Sequence, residues 1–322
     1  MTAPTWYPRR LTALDRLWRV QTLRRLTQAG VAGFIASVVA SHLLAGEGST
    51  AASGEAFCPF GGVEALYKYV TTGGIFIYHT HLSNLVILVA LLVLTVVARG
   101  AFCGWLCPFG ALQEWLHAGS VWLQRHVPPL RRLTKRLEAW AGGPIRPVYV
   151  ATPARPTIAQ TLDRWLRLLK YVILAWAVIG AAVTGTMVFR GVDPWAALIT
   201  VGEPAGIGGL IVLAIVAVAA LFVNRPWCRY ACPLGAAVGL ISQVSPLRLR
   251  RQGDQCLGCA LCHRACPMGL AVERMSDVTS PDCIMCLECA GSCPNEAKGA
   301  LGLTLVLPVR TPAPAPLPGS ND

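Results

Sequence analysis

The sequence carries the same cysteine pattern twice near its carboxyl end. CLGCALCHRACP begins at Cys256 and CIMCLECAGSCP begins at Cys283, so that both copies read C-x2-C-x2-C-x3-C-P. Short and regular spacing of this kind is typical of metal ligands rather than of a disulfide framework. The thirteen cysteines of the chain are an odd number and cannot all pair with one another. The pattern therefore predicts bound metal in a reducing compartment.

The doubled run resembles the ligand run of bacterial two-cluster ferredoxins, in which the fourth cysteine of each run binds the cluster of the other. The resemblance implies one [4Fe-4S] cluster held by Cys256, Cys259, Cys262 and Cys293, and a second held by Cys283, Cys286, Cys289 and Cys266. A pair of structural zinc sites is the alternative, since zinc also takes four cysteines. Zinc needs only two C-x2-C pairs, so eight cysteines in this order favour the clusters, and two adjacent clusters indicate electron transfer.

The remainder of the chain is strongly apolar. Hydrophobic residues make up 54% of the sequence and charged residues 14%, and the mean hydropathy is +0.52. This composition is typical of an integral membrane protein. A membrane-spanning helix needs roughly 20 apolar residues, and four runs reach or approach that length: 31–45, 82–98, 168–188 and 207–223. Basic residues precede the first run, as in a secretory signal, but the preceding segment is long for that role, so we predict an uncleaved span.

Basic residues predict the orientation of these spans. Six arginines precede the first span and ten Lys or Arg fall in the loop 99–167, whereas the loop 46–81 holds only Lys68. Because basic loops remain in the cytoplasm, we expect both termini and the ferredoxin domain to be cytoplasmic in a multi-pass protein of the bacterial inner membrane. The net charge of +12 mostly reflects this topology, which favours membrane lipid over nucleic acid as a partner.

An internal repeat relates the two halves of the membrane part. ARGAFCGWLCPFGALQEWL follows the second span and VNRPWCRYACPLGAAVGLI follows the fourth, and both contain C-x3-C-P after an aromatic residue. Such duplication predicts two halves related by an axis along the membrane normal. The predicted fold class is an all-α integral membrane core with four transmembrane helices and a two-fold internal repeat, followed by a C-terminal α+β ferredoxin domain.

These features divide the chain into six predicted segments. They are a basic cytoplasmic N-terminus (1–29), a first membrane repeat (30–123), a basic and proline-rich linker (124–167), a second membrane repeat (168–245), the ferredoxin domain (246–307) and a disordered tail (308–322).

The repeat brings two cysteine pairs, Cys103 with Cys107 and Cys228 with Cys232, to the same predicted side of the membrane. Residues four apart lie on one side of a helical turn, so the two pairs predict one four-thiol site. Three interpretations remain open: a third iron–sulfur cluster, redox dithiols that form disulfides, and packing or zinc. The proline that follows both pairs also follows both ferredoxin runs, which favours the cluster.

Four spans, two C-x3-C-P motifs and a terminal two-cluster ferredoxin together resemble the NapH family of membrane ferredoxins. The membrane core of NosR and the ferredoxin MauN are similar, and the likeness covers roughly residues 20–300. The resemblance implies an electron-transfer subunit of a quinol dehydrogenase, which connects the quinone pool to a partner redox protein on either side of the membrane. Two alternatives stay open: a regulatory or maturation protein for a partner metalloenzyme, and a membrane thiol oxidoreductase.

The loop between the first two spans contains candidates for quinol binding. Glu64, His79 and His81 could accept the protons that are released when quinol is oxidised at a membrane surface. Polar residues are also ordinary at membrane boundaries, so these groups are equally candidates for simple solvated loop residues. Cys58 in the same loop has either a structural role at a Cys-Pro turn or a role as a free thiol or ligand.

Overall fold

The computed structural model describes residues 13–45, 61–63, 66, 69, 82–129, 132, 136, 158–184, 188–199, 207–294 and 299–305. The loop candidates Cys58, Glu64, His79 and His81 lie outside the described residues.

The described part of residues 13–244 is helical. Its helices are α1 (Ala13–Ala45), α2 (Leu82–Ala98), α3 (Pro108–His126), α4 (Ile158–Thr184), α5 (Pro194–Ile199), α6 (Ile207–Phe222), α7 (Pro226–Tyr230) and α8 (Pro233–Ile241). A π-turn at Phe102–Leu106 precedes α3, and 3-10 turns occupy Val188–Val192 and Ser242–Val244. Proline opens α3, α5, α7 and α8, where its fixed φ suits the first helical position and its missing N–H costs nothing.

The helix bounds agree closely with two predicted spans and differ for the other two. Helix α2 covers 82–98 as predicted, and α6 ends at Phe222. Helix α1 begins at Ala13, and α4 begins at Ile158, inside the segment predicted as a linker. The polar start of α4 remains helical because Asp163 and Arg167 form an (i, i+4) ion pair with an N–O distance of 2.9 Å.

One described helical segment, Thr161–Thr184, is long and apolar enough to cross a membrane by length and composition. The apolar stretches Ser83–Ala98 and Ile207–Phe222 are shorter. Large apolar side chains on these helices face outward, and Val183 and Ile207 are 80% and 77% exposed. Extended apolar surface of this kind requires an apolar environment. The full set of four spans stays a prediction.

Residues 247–305 form a small α+β unit. Strand β1 (Leu247–Arg251) lies between β2 (Asp277–Val278) and β3 (Leu301–Leu305), and both pairings are antiparallel. Leu249 is opposite Val278 on one side and Leu303 on the other. Short helices α9 (Leu261–Ala265) and α10 (Glu288–Gly291) lie in the two cysteine runs. The sheet therefore closes the domain by pairing its first and last strands around the cysteine loops.

Candidate metal centres

The two C-x3-C-P motifs of the core share two features of the backbone. The residue that opens each motif, Arg99 or Arg225, has a left-handed conformation with φ of 56° or 52° and is fully buried. The second cysteine of each pair is extended, with φ and ψ of −67° and 110° at Cys107 and −71° and 112° at Cys232. The two motifs therefore share these two backbone features.

The prediction that each pair occupies one helical turn is wrong. Cys103 lies in the π-turn, Cys228 lies in α7, and the second cysteine of each pair lies outside both flanking helices. The cause is the following proline, which disfavours helical φ and ψ at the residue before it. Cys266, which precedes a proline in the first ferredoxin run, has nearly the same φ and ψ, −71° and 114°. The core motifs thus share the backbone of a ferredoxin ligand.

The four core thiols lie within electrostatic range of one another. The thiol of Cys103 interacts with those of Cys107 and Cys228, and the thiol of Cys232 interacts with all three. Among the described residues, no three Cys, His, Asp or Glu side chains meet as ligands of a single metal ion.

The thiols of the core motifs are buried, and burial changes their pKa. Burial and the neighbouring Cys107 thiol raise the pKa of Cys228 to about 11. Burial likewise raises the pKa of Cys103, and the thiols of Cys107 and Cys228 add to this effect. Redox-active thiols need a lowered pKa, because the thiolate is the nucleophile. The raised pKa values therefore argue against disulfide exchange at these thiols.

A buried ion-pair network fixes the first motif. Glu114 binds Arg24 and Arg225 with N–O distances of 2.6 Å to each guanidinium. Arg24 also donates to the carbonyl oxygen of Gly104 at 3.0 Å, and Arg225 donates to that of Cys103 at 2.5 Å. Sequence reasoning missed Arg24 and Glu114 as site residues. No local pattern distinguished Arg24, which stands in the basic, polar stretch RVQTLRRLTQ.

The second ferredoxin run packs directly on the first core motif. A Cβ atom at Gly104 would overlap the carbonyl oxygen of Ile284, and one at Gly100 would lie 2.5 Å from that of Cys283. The indole Nε1 of Trp105 donates to the carbonyl oxygen of Met285 at 3.0 Å. Cys103 itself packs against the apolar core of the ferredoxin unit. The glycines allow two backbones to meet beside Cys103.

Helix α4 and the second motif hold the other side of the same loops. Asp282, next to Cys283, forms ion pairs with Lys170 and with Arg167, the latter at 2.8 Å. Arg167 also donates to the carbonyl oxygen of Met268 at 2.7 Å. The guanidinium of Arg229, between Cys228 and Cys232, lies against Gly269. Both motifs thus contact the loops that carry Cys266 and Cys283.

The ferredoxin cysteines separate into two groups with different surroundings. One cavity is lined by Cys266, Cys283, Cys286 and Cys289 together with apolar side chains, including Leu249, Met268, Val272 and Val278. The thiols of Cys283, Cys286 and Cys289 each interact electrostatically with Cys266, whereas Cys262 interacts with Cys256 and Cys293. We call these the core-facing set (Cys266, Cys283, Cys286, Cys289) and the outer set (Cys256, Cys259, Cys262, Cys293). In the outer set Cys259 is exposed, and the adjacent Leu257 is 65% exposed.

Two family models of iron–sulfur domains match the chain. A 4Fe-4S dicluster domain matches residues 248–297, and a 4Fe-4S binding domain matches residues 80–129 and 205–252. The second model thus covers both core motifs. Fold, cysteines and family models define a ferredoxin-type iron–sulfur electron-transfer protein, and the predicted ferredoxin domain is confirmed.

Three curated relatives narrow the class. The chain is 27% identical over 246 residues to the putative electron transport protein YccM of Escherichia coli. The matched region covers 74% of this chain and 61% of YccM. The chain is 25% identical to the ferredoxin-type protein NapH of E. coli (67% and 68% covered) and 25% identical to the methylamine utilization ferredoxin-type protein MauN of Methylorubrum extorquens (52% and 47%). The chain is thus similar to the NapH/MauN-type ferredoxins. No solved structure matches it significantly.

Proposed function

We propose that this chain is a membrane-bound protein that carries electrons between the quinol pool and a partner redox protein. One observation carries the proposal: the second cysteine run rests on the first core motif by direct backbone contact at Gly100 and Gly104. A soluble ferredoxin domain has no need of such a contact, but an electron path from the core into the domain does. The close approach supports a continuous route past Cys103.

The core-facing set and the outer set are each proposed to hold one [4Fe-4S] cluster. The donors fit, since each set supplies four thiolates, and the core-facing thiols line a cavity within an apolar shell. Such clusters supply one-electron transfer at low potential when bound. The role of this chain is to fix the two sets close together and to exclude water from the core-facing one.

The four core thiols are proposed to hold a third cluster. The extended Cys-Pro backbone at Cys107 and Cys232 matches that of Cys266 in the ferredoxin run. The raised thiol pKa values and the 4Fe-4S binding model that covers both motifs support the same interpretation. The third site would then lie between the membrane core and the core-facing set.

The proposed topology is multi-pass, with both termini and the ferredoxin domain in the cytoplasm. The outward-facing apolar side chains on α2, α4 and α6 and the distribution of basic residues support it. Glu64, His79 and His81 are retained as candidates for the quinol site. The exposed edge of the outer set, near Leu257 and Cys259, is proposed as the place where a partner redox protein exchanges electrons.

Iron content tests the number of clusters. Protein purified without oxygen should contain about twelve irons per chain if three cubanes are present. The double variant Cys103→Ser, Cys228→Ser removes two ligands of the third site and should leave about eight irons. Cys58→Ser, which changes a cysteine outside all three proposed sets, is the matched control and should retain the full content. Unchanged iron and EPR spectra in the double variant would contradict the third cluster.

A further inference from the structure

Arg99 occupies an unusual position for a buried cation. Its side chain is fully buried, and its Nη2 donates to the carbonyl oxygens of Thr279 and Ser280 at 3.0 and 3.3 Å. Its Nε and Nη1 atoms are buried without a hydrogen-bond partner among the described residues. The charge of the guanidinium acts on the thiol of Cys283. A buried cation without a carboxylate partner is costly, so a further negative charge is expected beside it.

The opposite charge lies beside the outer set. Both carboxylate oxygens of Glu273 are buried, and neither has a hydrogen-bond partner among the described residues. The imidazole Nδ1 of His263 lies 3.4 Å from the carboxylate, and the guanidinium Nε of Arg274 lies 4.0 Å from it. The carboxylate acts electrostatically on the thiol of Cys262. One thiol set therefore faces a buried cation and the other faces a buried anion.

The sign of a buried charge determines how it changes the reduction potential of a nearby cluster. Reduction adds one negative charge to a cluster, and a buried charge nearby acts with little screening. A cation stabilises the reduced form and raises the reduction potential, whereas an anion lowers it. Reduction and oxidation here move one electron between the two sets, and no bond or proton needs to change.

We propose that Arg99 raises the reduction potential at the core-facing set and that Glu273 lowers it at the outer set. An electron that enters the ferredoxin domain then rests at the core-facing set until a partner withdraws it through the outer set. The inference depends on the two ligand sets proposed above, but it does not depend on quinol as the donor or on a third cluster.

The test is an EPR-monitored redox titration of the full-length protein in detergent. Arg99→Met should lower the midpoint potential of the core-facing cluster by about 59 mV, which is a tenfold change in its oxidised-to-reduced ratio for one electron. The midpoint potential of the outer cluster should not change. Arg99→Lys keeps the positive charge, so its midpoint potential should stay close to that of the parent protein. Glu273→Gln should raise the outer midpoint alone. Cys259→Ala removes a ligand of the outer cluster, so the midpoint potential that changes or disappears in this variant belongs to the outer cluster.

Arg190→Met is the matched control, because Arg190 is exposed and lies in the turn Val188–Val192. It should move neither midpoint. The proposal is overturned if Arg99→Met leaves both midpoints in place or moves both equally. If Arg99→Met does not retain iron, Arg99→Lys and Glu273→Gln still decide the question. Iron content and the number of EPR signals test the ligand sets separately, so failure of the proposed function is distinguishable from failure of this inference.

Discussion

Gly104→Ala is expected to loosen the ferredoxin domain from the core. The added Cβ would overlap the backbone oxygen of Ile284, which cannot move away as a flexible side chain would. Overpacking of this kind costs about 1–3 kcal/mol, which corresponds to a roughly 5- to 150-fold shift toward the open state. Hydrogen exchange should therefore accelerate by that factor at the amides of residues 283–288, because exchange reports local opening.

Gly119→Ala is the matched control for this experiment. Gly119 lies in α3 and a Cβ there would meet nothing within 4 Å, so the same substitution should leave exchange in the ferredoxin domain unchanged. Retained iron in both variants would show that the domain still folds. Equal protection of residues 283–288 in Gly104→Ala and the parent protein would contradict the proposed contact.

Among the variants considered, Glu114→Gln should cause the largest decrease in the free energy of unfolding. Removal of the carboxylate charge leaves Arg225 buried without the anion that it binds, whereas Arg24 keeps only Glu288, at 2.9 Å. Breaking a buried pair from one side costs about 3–5 kcal/mol. Thermal or denaturant unfolding in detergent, followed by loss of cluster absorbance, measures the change. Asp254→Asn, at an exposed acid, is the control and should change the free energy of unfolding by less than about 0.5 kcal/mol.

The same carboxylate predicts a dependence on pH. Burial alone would raise the pKa of Glu114, but the charges of Arg225 and Arg24 outweigh burial and hold that pKa below its ordinary value. A lowered folded-state pKa means that the stabilisation is present at neutral pH and is lost as the pH falls through that folded-state value. Glu114→Gln should therefore narrow the stability difference between neutral and acid pH. A parent-like pH profile in this variant would contradict the network.

Much of the metal chemistry could be predicted from sequence because it depends on spacing. The doubled run from Cys256 to Cys293 specified its pattern within one short segment, and the family models agree with that interpretation. The C-x3-C-P repeat can also be recognised in the sequence, because both copies follow an apolar run. Helix α2 was located accurately because its sequence is almost uniformly apolar.

The rest depended on contacts between distant residues. The start of α4 was missed because its charged residues resemble a linker until their partners, among them Arg229 and Asp282, are known. The i, i+4 expectation for the thiol pairs neglected the effect of the following proline. No local pattern showed that Gly104 would meet Ile284 or that Arg99 would face Cys283, since each pair is separated by about 180 residues of sequence.

Reduction of the clusters by quinol tests whether this chain takes electrons from the quinol pool. The purified, oxygen-free protein in liposomes is mixed with a reduced menaquinone analogue, and the clusters are followed by EPR. We expect reduced [4Fe-4S] signals to appear in the parent protein and in Gly119→Ala, and to appear more slowly in Gly104→Ala. Clusters that are reduced by dithionite but by no quinol under any condition would contradict this expectation.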